Sequence, residues 1–218
     1  EGLFGKCNQV TRTADLMNAG TLTKLRVRCL VLQHGFVPFD SYQQEMDYIV
    51  SHPKRNKFIA KLAADLDGNT LILFNYVEKH GDPLEEVLNT CVAEDRKVFY
   101  IHGGVETSER ERARQICETE SNAIILASYG TFSTGINIRN LHNIIFASPS
   151  KSRVRNLQSI GRVLRKGENK SQAVLYDIAD DCSRGSRQNY TLRHLVERIK
   201  IYTEEKFNYE VSKIRFKT

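Results

Sequence analysis

The chain has 218 residues, 40% of them hydrophobic and 27% charged, and a formal net charge of +6. That length supports one large domain, or one domain with appendages, and no apolar run is long enough to span a bilayer. The basic excess suits a polyanionic partner but is weaker than in a typical DNA-binding module, and no signal peptide opens the chain.

In chain order, residues 1–24 read as an irregular leading segment. "RVRCLVLQH" (26–34) reads as a strand. Two helices follow, broken at Pro53, with Asp40 or Ser41 capping the first, His52 before the second and Gly68 stopping it. "TLILFNYV" (70–77) is an apolar run of strand type, and "GDPLEEVLNTC" is a helix. "KVFYIHGG" is a strand entering a glycine loop. "SERERARQICETE" (108–120) is a helix, with Ser108 as cap and Glu111 completing a capping box. "NAIILASYG" is a strand running into a polar, glycine-containing loop, and "NIIFASPS" is a further strand. "KSRVRNLQSIGRVLRKG" is a helix ended by Gly167, "QAVLYDIADD" a strand, and the tail a helix and then a strand. Continuous apolar strands alternating with helices indicate an α/β fold, a parallel sheet with helices on both faces. Ligands of such sheets sit at the carboxyl ends of the strands, here after Phe74, Tyr100, Ser128, Ser148 and Ile178.

The five cysteines, Cys7, Cys29, Cys91, Cys117 and Cys182, are scattered and form no Cys-x-x-Cys pair. They point to a reducing, cytoplasmic compartment and away from a disulfide framework or a zinc site. Asp177, Asp180 and Asp181 could hold a metal, but a helix cap or a salt bridge to the basic helix is the preferred reading. Phe207, Tyr209 and Phe216 could stack on bases, but core is preferred.

Lys151, Arg155, Gln158, Arg162 and Arg165 recur at helical spacing on one stripe, beside an apolar stripe of Leu157, Ile160 and Leu164. Gly161 costs about 1 kcal/mol of helix stability against alanine, so a close approach of backbone or ligand is expected there. Two arginines one turn apart can hold a phosphoryl group from two sides, or simply form a solvated basic face.

"QSIGRVLR" resembles motif VI of superfamily 2 helicases, and "ILASYGTFSTGINI" resembles motif V, with Asn137 where aspartate is commoner. "TLILFNYVEKH" and "VFYIHGGVETSERERAR" resemble motif IV and the element after it. These resemblances run in family order across roughly residues 70–166 and imply a RecA-like helicase C-terminal domain. They imply ATP with Mg²⁺, the metal held mainly by another domain. They imply that Arg162, Arg165 and Gln158 act on the γ-phosphate, and that Gly135 and Asn137 lie near the ribose. Asn75, Tyr76, His102, Gly103, Thr131 and Ser133 would follow the nucleic-acid backbone, although His102 alone reads equally well as a satisfied loop histidine.

Neither a Gly-x-x-x-x-Gly-Lys-Ser/Thr loop nor an Asp-Glu box occurs in the sequence. The expectation is therefore a piece of a longer protein, since the chain begins with Glu1. Residues 1–24 would lead in from an N-terminal RecA-like domain, 25–185 would form RecA-like domain 2, and 186–218 a C-terminal helix and strand. The isolated chain is expected to be inactive.

"EGLFG…VTRTADLMNAG", "SYGTFSTGI…NLHNIIFA" and "LRHLVERIKIY" further resemble the recombination helicases of tailed phages. That resemblance implies action on branched or forked DNA, and on RNA–DNA hybrids, in recombination, repair and replication restart, inside a phage-infected cell. The alternative is a non-enzymatic nucleic-acid-binding module with a helicase-like fold. A small-molecule enzyme ranks last, since no nucleophile stands with a matched base.

Overall fold

Four strands carry the apolar signal most plainly. β2 (Thr70–Phe74), β4 (Ile124–Ser128) and β5 (Asn143–Phe146) are buried at every position, and β6 (Gln172–Asp181) over most of its length. Residues buried on both faces are what the centre of a parallel sheet requires. A computed structural model describes residues 17, 23–135, 138, 140–149, 152, 160–161 and 172–216, with the backbone alone given for 133–135. With β1 (Lys24–Gln33), β3 (Val98–Ile101) and β7 (Asn208–Arg215), these strands form one seven-stranded sheet in the order β3-β4-β2-β5-β6-β1-β7. Every neighbouring pair is parallel.

Strand pleating sends alternate residues to opposite layers. On one face Val27, Leu73, Ile125, Ile144 and Leu175 meet α4 (Thr107–Thr119), α5 (Tyr129–Gly135) and α6 (Tyr190–Glu204) through Cys117, Phe132 and Tyr202. On the other, Ile72, Phe74, Leu126 and Ile178 meet α2 (Pro53–Asp65) and α3 (Asp82–Cys91) through Ile59, Ala63, Leu84 and Leu88. The expected fold, a parallel sheet covered on both faces, is the observed one.

The helix starts are partly as expected. Ser41 Oγ accepts from the Gln44 N–H at 3.2 Å and caps α1 (Tyr42–Ser51). His52 Nδ1 accepts from the Arg55 N–H at 3.3 Å, ahead of Pro53. The capping box of α4 is absent: the helix starts at Thr107, Ser108 Oγ bonds Glu106, and Glu111 is taken by Arg114.

The segment after β4 is a helix rather than the expected loop. Ser128 Oγ accepts from the Thr131 N–H at 3.3 Å, as an N-cap does, and Tyr129 and Phe132, three apart, are buried on the same layer. The tail corrects a second expectation. Phe207 is buried and Phe216 half-buried, stacked 5.9 Å from His52. Tyr209 and Val211 are exposed, because β7 is the outermost strand.

Candidate nucleotide and nucleic-acid interface

Because all strands run the same way, Gln33, Phe74, Ile101, Ser128, Phe146 and Asp181 end on one edge of the sheet. Beyond Phe74, Asn75 is half-buried and its N–H donates to Ser148 Oγ at 3.1 Å. The same hydroxyl lies 3.0 Å from His80 Nδ1, so Ser148, just past β5, ties the end of β2 to the loop leaving its neighbour. The half-buried Tyr76 accepts from the His80 and Gly81 N–H groups at 3.1 and 2.9 Å, closing a π turn over Val77–Gly81. The turn needs glycine at its end: a Cβ on Gly81 would stand 2.7 Å from Phe74 Cε2 and also strike the Tyr100 hydroxyl.

His102 and Gly103 follow β3 in a tight turn in which the Val105 N–H returns to the His102 carbonyl at 3.1 Å. His102 Nδ1 accepts from the Gly104 N–H at 3.2 Å, and its ring lies 4.9 Å from that of Tyr100. Gly103 is exposed, and its carbonyl accepts from Arg110 Nη2 at 3.0 Å. Thr131 is buried, and its Oγ1 accepts from the Ser128 hydroxyl at 2.9 Å. Its position therefore turns the hydroxyl toward β4 rather than outward. Ser133 lies within α5 and Gly135 ends it. Asn75, His102 and α5 thus converge on the edge formed by three adjacent strands, β2, β4 and β3.

Gln158, Arg162, Arg165 and Asn137 lie outside the described residues. Of the arginine helix, Ile160 is buried in the layer of α4 to α6, as its apolar stripe requires. Gly161 is helical and exposed, and a Cβ there would meet nothing within 4 Å among the described residues. The close approach expected at this glycine is not made by those residues.

Among the described residues, Asp177 and Asp180 of β6 pair with helices other than the arginine helix. Asp177 faces one layer, where it accepts from Arg198 Nε and Nη2 at 2.8 and 2.7 Å and from the Tyr202 hydroxyl at 2.7 Å. Asp180 faces the other layer and takes Arg55 Nε at 2.9 and 3.1 Å and His34 Nε2 at 2.7 Å. Asp181 accepts from the Ser183 N–H. No cluster of three or more His, Cys, Asp or Glu suited to a metal occurs among the described residues. Arg55 and His80, which with Ser148 brace the edge from beneath, are absent from the sequence reading, and Ser148 enters it only as a strand end. Arg198 and Tyr202 did carry a signal, an i, i+4 pair on one helix face.

The family model described as the helicase conserved C-terminal domain matches residues 54–167, just over half of the chain. The chain belongs to the helicase C-terminal domain family. That segment holds β2 to β5, α5 and every residue of the "QSIGRVLR" pattern. The chain is 36% identical over 226 aligned residues to the ATP-dependent DNA helicase UvsW of Enterobacteria phage T4, covering 95% of this chain and 44% of that protein. The crystal structure of T4 UvsW superposes with a TM-score of 0.74 at 34% identity, over 89% of this chain and 42% of that one. The ATP-dependent Type ISP restriction-modification enzyme LlaBIII bound to DNA shares the fold, with a TM-score of 0.62 at 14% identity, over 94% of this chain and 16% of that one. The chain thus spans under half the length of UvsW, and no described helix is long and apolar enough to cross a membrane.

Proposed function

We propose that the chain is the second RecA-like half of an ATP-dependent helicase or translocase that acts on DNA, branched or forked DNA above all, and on RNA–DNA hybrids. The observation that carries this reading is that Gln158, Gly161, Arg162 and Arg165 fall inside the matched helicase segment, on the connection that leaves β5 in a parallel sheet. In this reading residues 1–24 lead in from an N-terminal motor domain that supplies the phosphate loop and most of the Mg²⁺ coordination. Residues 25–185 form the RecA-like unit, and 186–218 return onto its sheet.

Permanently charged guanidinium forks suit phosphate oxygens, so Arg162 and Arg165 reach the γ-phosphate and stabilise the charge that develops on it. Gln158 orients the nucleotide or the attacking water, and Gly135 and Asn137 lie against the ribose. Asn75, Tyr76, His102, Gly103, Thr131 and Ser133 follow the nucleic-acid backbone. For Thr131 this requires its hydroxyl to leave Ser128. Opening and closing of the cleft between the two domains changes the distance between their grips and steps the protein along. The role in this reading is in recombination, repair and replication restart, and the phage origin of UvsW supports an infected cell as its setting.

The test is DNA-stimulated ATP hydrolysis by the full-length protein. Arg162→Ala or Arg165→Ala is expected to lower turnover by about 10³-fold. Robust ATP turnover by the isolated chain would sink the reading.

A further inference from the structure

At the ends of β1 and β6, away from the loops after β2, β3 and β4, the surface carries a pocket of about 230 Å³. Phe36 lines it and is 43% exposed, a large aromatic left at the surface. The Arg184 guanidinium lies 5.7 Å from the centre of the Phe36 ring. Arg187 and Arg193 also line the pocket, and Arg193 lies 4.7 Å over the Tyr190 ring. These arginines are not spread along a loose loop. Arg184 and Arg187 are cross-strand partners in a two-residue hairpin, with N–H···O bonds of 3.3 and 3.1 Å in the two directions. Gly185, at φ +59°, makes the turn. Directly paired residues send their side chains to the same side.

The charge at this pocket is uncompensated. None of the three arginines forms an ion pair among the described residues. The one carboxylate in the lining, Glu45, is buried and already saturated. It accepts from Asn189 Nδ2, the Tyr190 and Thr191 N–H groups and the Thr191 hydroxyl at 2.6 to 2.7 Å. Glu45 thereby occupies the N-terminus of α6, so an incoming anion would have to be held by guanidinium groups instead.

We propose that this pocket is a second contact for single-stranded nucleic acid, in which a base stacks on Phe36 and the adjoining phosphate meets Arg187 and Arg193. Aromatic faces flanked by cationic side chains bind single strands with little sequence preference. Phosphate is the group that a planar guanidinium fork fits best. The inference rests on the nucleic-acid reading above, and it adds a grip outside the residues named there.

The experiment is fluorescence anisotropy of the full-length protein with fluorescein-labelled oligothymidylate, across a salt series. Phe36→Ala, and separately Arg187→Gln with Arg193→Gln, are each expected to weaken binding about ten-fold. The arginine pair is also expected to flatten the dependence of log affinity on log salt by about one to two. Tyr209→Ala, which removes an exposed aromatic on β7, is expected to change neither. The substituted side chains are exposed, and unchanged thermal unfolding would show that the variants fold. Binding unaltered in both variants overturns the pocket and leaves the nucleic-acid reading standing, whereas a wild-type protein that binds no oligonucleotide at low salt overturns both. Displacement by polyaspartate as effective as by unlabelled oligothymidylate would reduce the site to an anion patch and overturn the stacking role. Displacement by thymidine monophosphate at the same nucleotide concentration would move the site to free nucleotides.

Discussion

Arg55 and Asp180 meet with no exposed side-chain surface on either partner, Nε lying 2.9 and 3.1 Å from the two carboxylate oxygens. Arg55 Nη2 also donates to the Ala147 carbonyl at 2.7 Å, so one guanidinium joins α2, the end of β6 and the exit from β5. Removing one partner of a buried pair strands the other. Arg55→Met is therefore expected to cost about 3–5 kcal/mol in urea unfolding, and Arg55→Met with Asp180→Leu to recover most of it. Equal stability of the single variant and the wild type would show that the pair is unimportant.

Acid sensitivity should centre on His80. Burial, and then the Arg55 cation, push its pKa from 6.5 down to about 3. Its Nε2 has no hydrogen-bond partner among the described residues that could accept from the charged form. The unfolded chain takes up a proton from about pH 6.5 downward and the folded chain does not. The contribution is thus fully present above that pH and is lost at about 1.4 kcal/mol per unit as the pH falls toward 3. Half-buried His52 is shifted in the same direction, so the quantity to measure is the difference in pH slope between wild type and His80→Leu. Below about pH 4 Asp180 adds to the loss: burial pushes its carboxyl up, but Arg55 and then His34 outweigh this and hold it below the usual range.

Thiol labelling should sort the cysteines by burial. Burial is the main cause that raises the thiols of Cys29, Cys117 and Cys182, that of Cys117 to about 12, and nearby carboxylates add to it. Thiolate is the reactive form. Iodoacetamide on the native chain, read by mass spectrometry, is expected to modify half-buried Cys91 first among the described cysteines, and the other three only on unfolding. Rapid native labelling of Cys29 would contradict the packing of β1 against α6.

Gly161 separates local stability from function. With nothing within 4 Å of an added Cβ among the described residues, Gly161→Ala is expected to leave the stability of the isolated chain unchanged or raise it by up to about 1 kcal/mol. If the glycine admits a partner domain or nucleotide, the same change should lower ATP turnover of the full-length protein several-fold. Full turnover with alanine would remove that explanation for the glycine.

The sheet was legible because Leu71–Phe74, Ile124–Ala127 and Ile144–Ala147 are continuous apolar runs, the mark of strands covered on both sides. α5 was not, since Tyr129 and Phe132 are its only large apolar residues among glycine, serine and threonine, and its start depends on a hydroxyl at the end of the preceding strand. The alternation of Phe207, Tyr209 and Val211 was visible, but alternation does not say that the strand lies at an edge. The pairing of Arg55 with Asp180 was invisible because 125 positions separate them and neither side chain announces its partner. The edge that carries the candidate site followed from strand direction alone. What braces it from beneath, Ser148 and His80, required coordinates.

Asp177 and Asp180 stand three residues apart on β6 and reach opposite layers of the molecule, one holding α6 and the other α2. Three residues of extended strand are about 10 Å. Tension applied at α6 is thus handed to α2 through a short rod that β1 bonds along its whole length and β5 bonds as far as Asp177, bypassing every loop. The domain has, in β6, a stiff axle between its two skins, as the proposed motor would require.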